Sequence, residues 1–209
     1  PPRSTLFPYT TLFRSVVTSL GAFQALASEW NCLAADSPVD HAFMRHEWFS
    51  CWLRHLGPVD CMCFVIGSRD GQLAACAPMI VNSERIKGAP ARVMQFAAST
   101  VTPRCNIIAR TPEDAEALFG HLLDYPGVDL FLPRGMERAA PPTETLLNLL
   151  NTTGRPVSVE TARRSPYLLT DTGYEQFLDS LSKSFRTILK RGESKLAKAG
   201  EVTCRKITA

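Results

Sequence analysis

A mixed-sheet α/β (α+β) fold, one sheet flanked by helices, is what this sequence predicts, and three observations carry the prediction. Helical periodicities and strand-like runs interleave along the chain without a strict strand–helix–strand repeat. Arg69-Asp70-Gly71 stands between two apolar runs as a hairpin signal, which requires antiparallel neighbours. From Pro112 onward, helix-length apolar stripes alternate with short apolar runs, the pattern of helices layered on strands.

Taken in order, Ser19 is placed to cap a helix in which Leu20, Phe23, Leu26, Ala27 and Trp30 recur at three- and four-residue steps. Asp36-Ser37-Pro38 is a turn. A second helix over 45–56 puts Trp48, Trp52 and Leu53 on one face, as core anchors, and Gly57-Pro58 stops it. Residues 59–67 read as a strand, the hairpin returns into 73–81, and 91–97 and 106–109 read as two more strands. Thr111 caps a helix with proline in its first turn, where Glu113 and Asp114 suit the positive end of the dipole. Its buried stripe is Ala115, Leu118, Phe119 and Leu122. Residues 128–132 form a buried strand, and Pro141-Pro142 opens a helix through Leu150. Short strands are expected at 157–161 and 167–170 and a short helix at 174–181. Ser182 or Ser184 starts a long basic helix ended by Gly200, and 202–207 begins another strand.

The first fifteen residues stand apart. Pro1 to Ser15 is encoded, residue for residue, by one reading frame of the adapter used in short-read sequencing libraries. The segment is therefore expected to be an assembly artefact and is excluded from fold reasoning, as a tag would be. By the same logic, the ends of the chain are expected to be arbitrary.

The remainder is large enough for one substantial domain or two small ones. With 45% apolar and 21% charged residues, the composition is that of an ordinary globular protein and excludes a disordered chain. The formal charge of +3 includes Arg3 and Arg14, so the rest is close to neutral. That balance hides an asymmetry: residues 183–206 gather eight Lys or Arg against Glu193 and Glu201, leaving a net acidic region before them. No uninterrupted apolar run approaches the roughly 18 residues needed to cross a bilayer. Seven cysteines, an odd number scattered among apolar neighbours, read as reduced thiols of a cytoplasmic protein. Cys61 and Cys63 are expected on the same side of a strand as small buried hydrophobes, since no second pair stands at zinc spacing.

Most motif tests fail. His46-Glu47 begins like a zinc-protease helix, but Ser50 stands where the second histidine is needed. His41, His46 and His55 share no face at metal spacing and read as surface or satisfied core residues. There is no G-x-S-x-G, P-loop or G-x-G-x-x-G sequence, and the sequon at Asn151 has no meaning in a reduced cytosolic chain.

The informative segment is 182–200. Phe185, Ile188, Leu189 and Leu196 make an apolar stripe, while Lys183, Arg186, Lys190, Arg191, Lys195 and Lys198 cover the rest. Three readings fit: a solvated helical face, an anion-facing helix for phosphate or pyrophosphate groups, and a membrane-surface helix. The small number of bulky apolar residues argues against the third. In the second, Arg186, Lys190 and Arg191 are the substrate-binding candidates, an arginine acting bidentately and lysine as a point charge.

The order of these pieces has a counterpart. A Phe23-x-x-Leu26-x-x-Glu29-Trp30 helix precedes Glu47-Trp48 with Trp52; the Asp70-Gly71 hairpin leads into Ala77-Pro78-Met79. Ser165-Pro166-Tyr167-Leu168 and the Ser180 to Arg186 helix follow, closing with Lys198-Ala199-Gly200. Over roughly residues 20–208 this resembles the bacterial GNAT-superfamily acyltransferases of the cellulose- and exopolysaccharide-biosynthesis type, akin in architecture to the Fem aminoacyltransferases. The resemblance implies an acyl-CoA N-acyltransferase-like fold in tandem halves: an N-terminal domain over 16–170 and a truncated second domain over 171–209. It implies transfer from acetyl-CoA or another acyl-CoA to the amine or hydroxyl of a small-molecule or saccharide acceptor. No metal and no nucleic acid are expected. The acyl-CoA site would belong chiefly to the second half, so the chain alone is expected to be inactive and no catalytic residue is assigned. The family's pyrophosphate loop, R/Q-x-x-G-x-G/A, has its nearest match in Arg85 to Pro90, where Pro90 cannot donate an N–H; it is rejected as that loop. Two alternatives are a non-catalytic acceptor-binding or docking module of a polysaccharide synthase, and a Fem-like transferase using charged tRNA.

Overall fold

A computed structural model describes residues 13–39, 41–161, 164, 171, 173–203 and 205. The chain divides into one unit up to Arg163 and a second from Arg164.

The first unit is built on a six-stranded sheet. Its strands are β1 (Phe13–Val17), β2 (Met62–Arg69), β3 (Gln72–Ile86), β4 (Ala89–Phe96), β5 (Ile108–Ala109) and β6 (Leu130–Phe131). The order is β1-β2-β3-β4-β6, with β5 paired to β3 beyond the end of β4. Every pair is antiparallel except β4–β6, which is parallel and spanned by a crossover helix. The predicted mixed sheet flanked by helices is thus observed.

Two hairpins set its register. Asp70 and Gly71 turn between β2 and β3 with φ of 52° and 76°, and Lys87 and Gly88 turn between β3 and β4 with φ of 49° and 88°. Both are two-residue turns with positive φ throughout, the type whose twist matches the flanking strands; glycine takes the second position at no steric cost. β3 consequently runs to Ile86, five residues past its predicted end. β1 begins at Phe13, inside the segment expected to be an artefact, and pairs with β2 from Phe13↔Ser68 to Val17↔Phe64. Residues 13–15 are paired in this strand. The physical reason is that an edge strand pairs through main-chain groups, which any non-proline residue supplies.

Each sheet face carries its own core. Helices α1 (Leu20–Ala25), α2 (Ala27–Asp36) and α3 (His46–His55) cover one face. There Phe23, Trp30, Leu33, Phe49 and Leu53 pack on Met62, Phe64 and Ile66 of β2 and on Cys76 and Ile80 of β3. Fully buried Phe64 sits at the hub, with ring centroids 4.9 Å from Phe23, 5.8 Å from Phe49 and 6.0 Å from Trp30. Helices α4 (Pro112–Leu123) and α5 (Pro141–Thr153) cover the other face. Ala115, Leu118, Phe119 and Leu122 meet Cys63, Val65, Met79, Met94 and Phe96 there. The alternation Met62/Phe64/Ile66 against Cys63/Val65 is the two-residue period of a strand buried on both sides.

Several expectations are corrected. The single opening helix is two, broken at Leu26 (φ −88°, ψ 2°). The Phe23 carbonyl accepts from Leu26 N and from His46 Nε2, both at 3.0 Å, instead of continuing the helical ladder. A carbonyl only accepts, so Nε2 carries the proton; His46, stacked on Phe23 at 4.2 Å, is a satisfied core residue as expected. On α3 the buried face is Phe49, Trp52 and Leu53, whereas Trp48 is half-buried and donates its indole N–H to Thr102 Oγ1 at 2.9 Å. Cys61 lies in a 3-10 turn (Val59–Cys61) against the first core, while Cys63 enters the second, so the two do not share a strand face. β6 is two residues long and half-buried. Residues 157–161 are exposed and form no strand. The strand expected at 167–170 lies outside the described residues.

The second unit contains α6 (Tyr174–Ser180) and α7 (Lys183–Ala199). Ser182 is the N-cap of α7, its Oγ accepting from Phe185 N at 3.3 Å, and Gly200 follows its last residue. Residues 201–203 are not in a strand.

Candidate functional site

Three places were open to a site, and the geometry separates them. The first is the parallel pair. In open sheets, ligands bind outside the carboxyl ends of strands where the strand order switches. Here Val93↔Leu130 and Met94↔Phe131 bring β4 and β6 side by side, and the chain leaves β4 at Phe96. The segment that follows spends its polar groups on its own neighbours. Ala97 N donates to the Pro78 carbonyl at 2.8 Å, and Val101 N and Thr102 N both donate to the Ala98 carbonyl at 2.9 Å. Cys105 N donates to the Gly135 carbonyl at 2.9 Å, and buried Asn106 donates from Nδ2 to Thr143 Oγ1 at 3.3 Å. Residues 97–111 contain no glycine, so a backbone cradle of the kind that grips diphosphates has no glycine turn to build it. Burial raises the Cys105 thiol to about 12, which removes it as a nucleophile at neutral pH.

The nearest sequence match to a pyrophosphate loop, Arg85 to Pro90, is the tip of the β3–β4 hairpin. Arg85 pairs with Pro90 and Ile86 with Ala89, and Arg85 Nη1 donates to the Gly88 carbonyl at 2.9 Å. No helix starts there. This geometry agrees with its rejection as a donor-binding loop.

The second place is a depression where the β2–β3 turn meets the start of α4, lined by Arg69, Asp70, Gln72, Arg110, Thr111 and Glu113. Arg69, Arg110 and Glu113 are all engaged there. Arg69 reaches Asp114 Oδ1 from Nε at 3.2 Å and from Nη2 at 2.6 Å, and Thr111 Oγ1 both donates to Asp114 Oδ2 at 3.1 Å and accepts from Asp114 N at 3.2 Å. Arg110 Nη2 lies 3.5 Å from the Leu73 carbonyl and 3.9 Å from Asp36. The Glu113 carboxyl is held below its ordinary range by its own main-chain N–H and then by Thr111. The arrangement ties α4 to β2; it does not present a reactive group.

The third place is α7, which carries the predicted site residues. Helical spacing aligns Thr187, Arg191, Ser194 and Lys198 at steps of four, three and four, with Lys190 and Lys195 beside them. Together these six line a shallow, open depression along the exposed side of the helix. Of the three candidates, the structure therefore brings Lys190 and Arg191 together. Arg186 is turned away from that row and pairs with Asp179 at 3.5 Å. Thr187 and Ser194, two hydroxyls between the cations, were missed by a reading that counted charges alone; the same 4-3-4 spacing would have found them. Thr187 Oγ1 is held by donating to the Lys183 carbonyl at 2.9 Å. The row spans about 12 Å from Lys190 to Lys198 at 1.5 Å per residue, long enough for a diphosphate. Among the described residues, no group of three or more His, Cys, Asp or Glu could hold a metal ion.

No family model matches the chain, and no curated protein matches it. A crystal structure of an aminoglycoside acetyltransferase from an uncultured soil metagenomic sample, in complex with sisomicin, is similar in outline. It aligns at a TM-score of 0.42 and 10% identity, over 76% of this chain and 96% of that one.

Proposed function

We propose that this chain is the amino-terminal part of an acyl-CoA-dependent acyltransferase. In this reading an acceptor amine or hydroxyl attacks the thioester carbonyl, the C–S bond breaks, and the coenzyme thiol leaves with the acceptor's proton. The acceptor is a small molecule or saccharide, the compartment is the cytoplasm, and the setting is the assembly of cell-envelope polysaccharide.

The observation that carries the reading is the agreement of two independent orders. The sequence lays out its helices, hairpin and basic helix as the resemblance requires. The fold runs an antiparallel meander, β1 to β4, into a parallel β4–β6 pair across one helix, with helices on both faces. In the proposed roles, Lys190 and Arg191 face the donor's phosphates: arginine gives a planar two-pronged contact, while lysine supplies a mobile point charge. Arg186, paired with Asp179, holds α6 against α7. No residue is assigned as general base.

One observation favours a second reading for the first unit. The glycine-free, internally bonded segment after β4 and the hairpin at Arg85 to Pro90 leave that unit without an amide cradle for a diphosphate. It then serves as an acceptor-binding or docking module, and donor binding belongs elsewhere in the protein.

Both readings meet one experiment. The purified polypeptide is incubated with acetyl-CoA and a panel of amines and sugars while free thiol is followed, and CoA and nucleotide-activated sugars are titrated calorimetrically. No turnover above background and no heat with CoA are the expected results. Turnover by this polypeptide would overturn the assignment of the donor site to missing sequence, and heat with an activated sugar alone would select the module reading.

A further inference from the structure

We draw no further inference here: the strongest candidate, the exposed arginines at the carboxyl ends of β4 and β6, where the bond from Cys105 N to the Gly135 carbonyl brings the segments carrying Arg104, Arg134 and Arg138 together, rests on surface charge alone, since Arg104 already lies 3.7 Å from Glu137 and nothing in the structure shows what covers the other two.

Discussion

Replacing Asp114 by alanine removes a buried carboxylate that joins α4 to the sheet. Its side chain is 2% exposed, while that of its partner Arg69 is 31% exposed. The loss has two parts. The main-chain cap from residue 114 N–H to Thr111 Oγ1 survives, but the bond that the Thr111 hydroxyl donates to Asp114 Oδ2 is lost, at about 1 kcal/mol. A hydrogen-bonded pair with a charged partner is worth about 1.5–3 kcal/mol, and the partial exposure of Arg69 places this one at the lower end because water screens it. The expected cost is therefore about 2–3 kcal/mol. For a chain of this size, that lowers Tm by roughly 5–10 °C. Urea unfolding followed by tryptophan fluorescence reads the change directly, since Trp30 and Trp52 are buried in the core on the opposite sheet face. Arg69→Met in the same background supplies the double-mutant cycle, with a coupling of about 1–2 kcal/mol expected. A single-variant cost below about 0.5 kcal/mol would refute the reasoning, because it would mean that water replaces the pair at no loss.

Three further expectations concern positions the structure singles out. Burial raises Cys105 to about 12 and raises Cys63 and Cys76 as well. The folded state therefore keeps protons that the unfolded chain releases near pH 9, so stability is flat below that pH and declines between about 9 and 12, by at most about 1.4 kcal/mol per pH unit per thiol. Cys105→Ala should flatten the decline, and peptide-mapped alkylation at neutral pH should mark the exposed Cys32 and Cys51 well before Cys63, Cys76 and Cys105. A Cβ on Gly57 would stand 2.6 Å from Trp52 Cζ3, so Gly57→Ala must displace a nearly buried indole; a cost of about 1–3 kcal/mol in urea unfolding is expected, and none would contradict the steric argument. Lys87 holds φ of 49° at the first position of its turn; Lys87→Asn should stabilise by a few tenths to about 1 kcal/mol, measured as a rise in Tm, because asparagine tolerates that conformation better.

The sequence by itself determined the local elements and their caps, because those depend on neighbours within one turn or one hairpin. Thr111 before Pro112 and the 3-and-4 spacing of Ala115, Leu118, Phe119 and Leu122 placed α4 and its buried face as found. Asp70-Gly71 placed a hairpin, and Ser182 with Gly200 bounded α7. Lys190 and Arg191 were legible as one cationic row for the same reason, since helical periodicity alone puts them there. What the tertiary structure alone decided are the contacts between residues far apart in the chain. Asn31 caps α3 from the neighbouring helix, accepting from His46 N at 2.9 Å and donating to Glu47 at 2.7 Å, a role no local pattern announces. The His46 bond to the Phe23 carbonyl divides a helix that periodicity would have run straight through. Main-chain pairing gathered Phe13, Arg14 and Ser15 into β1, and a crossover of more than thirty residues set β6 parallel to β4. Periodicity reports which face of an element is apolar; only the packed chain decides what that face, or a lone polar atom beside it, is pressed against.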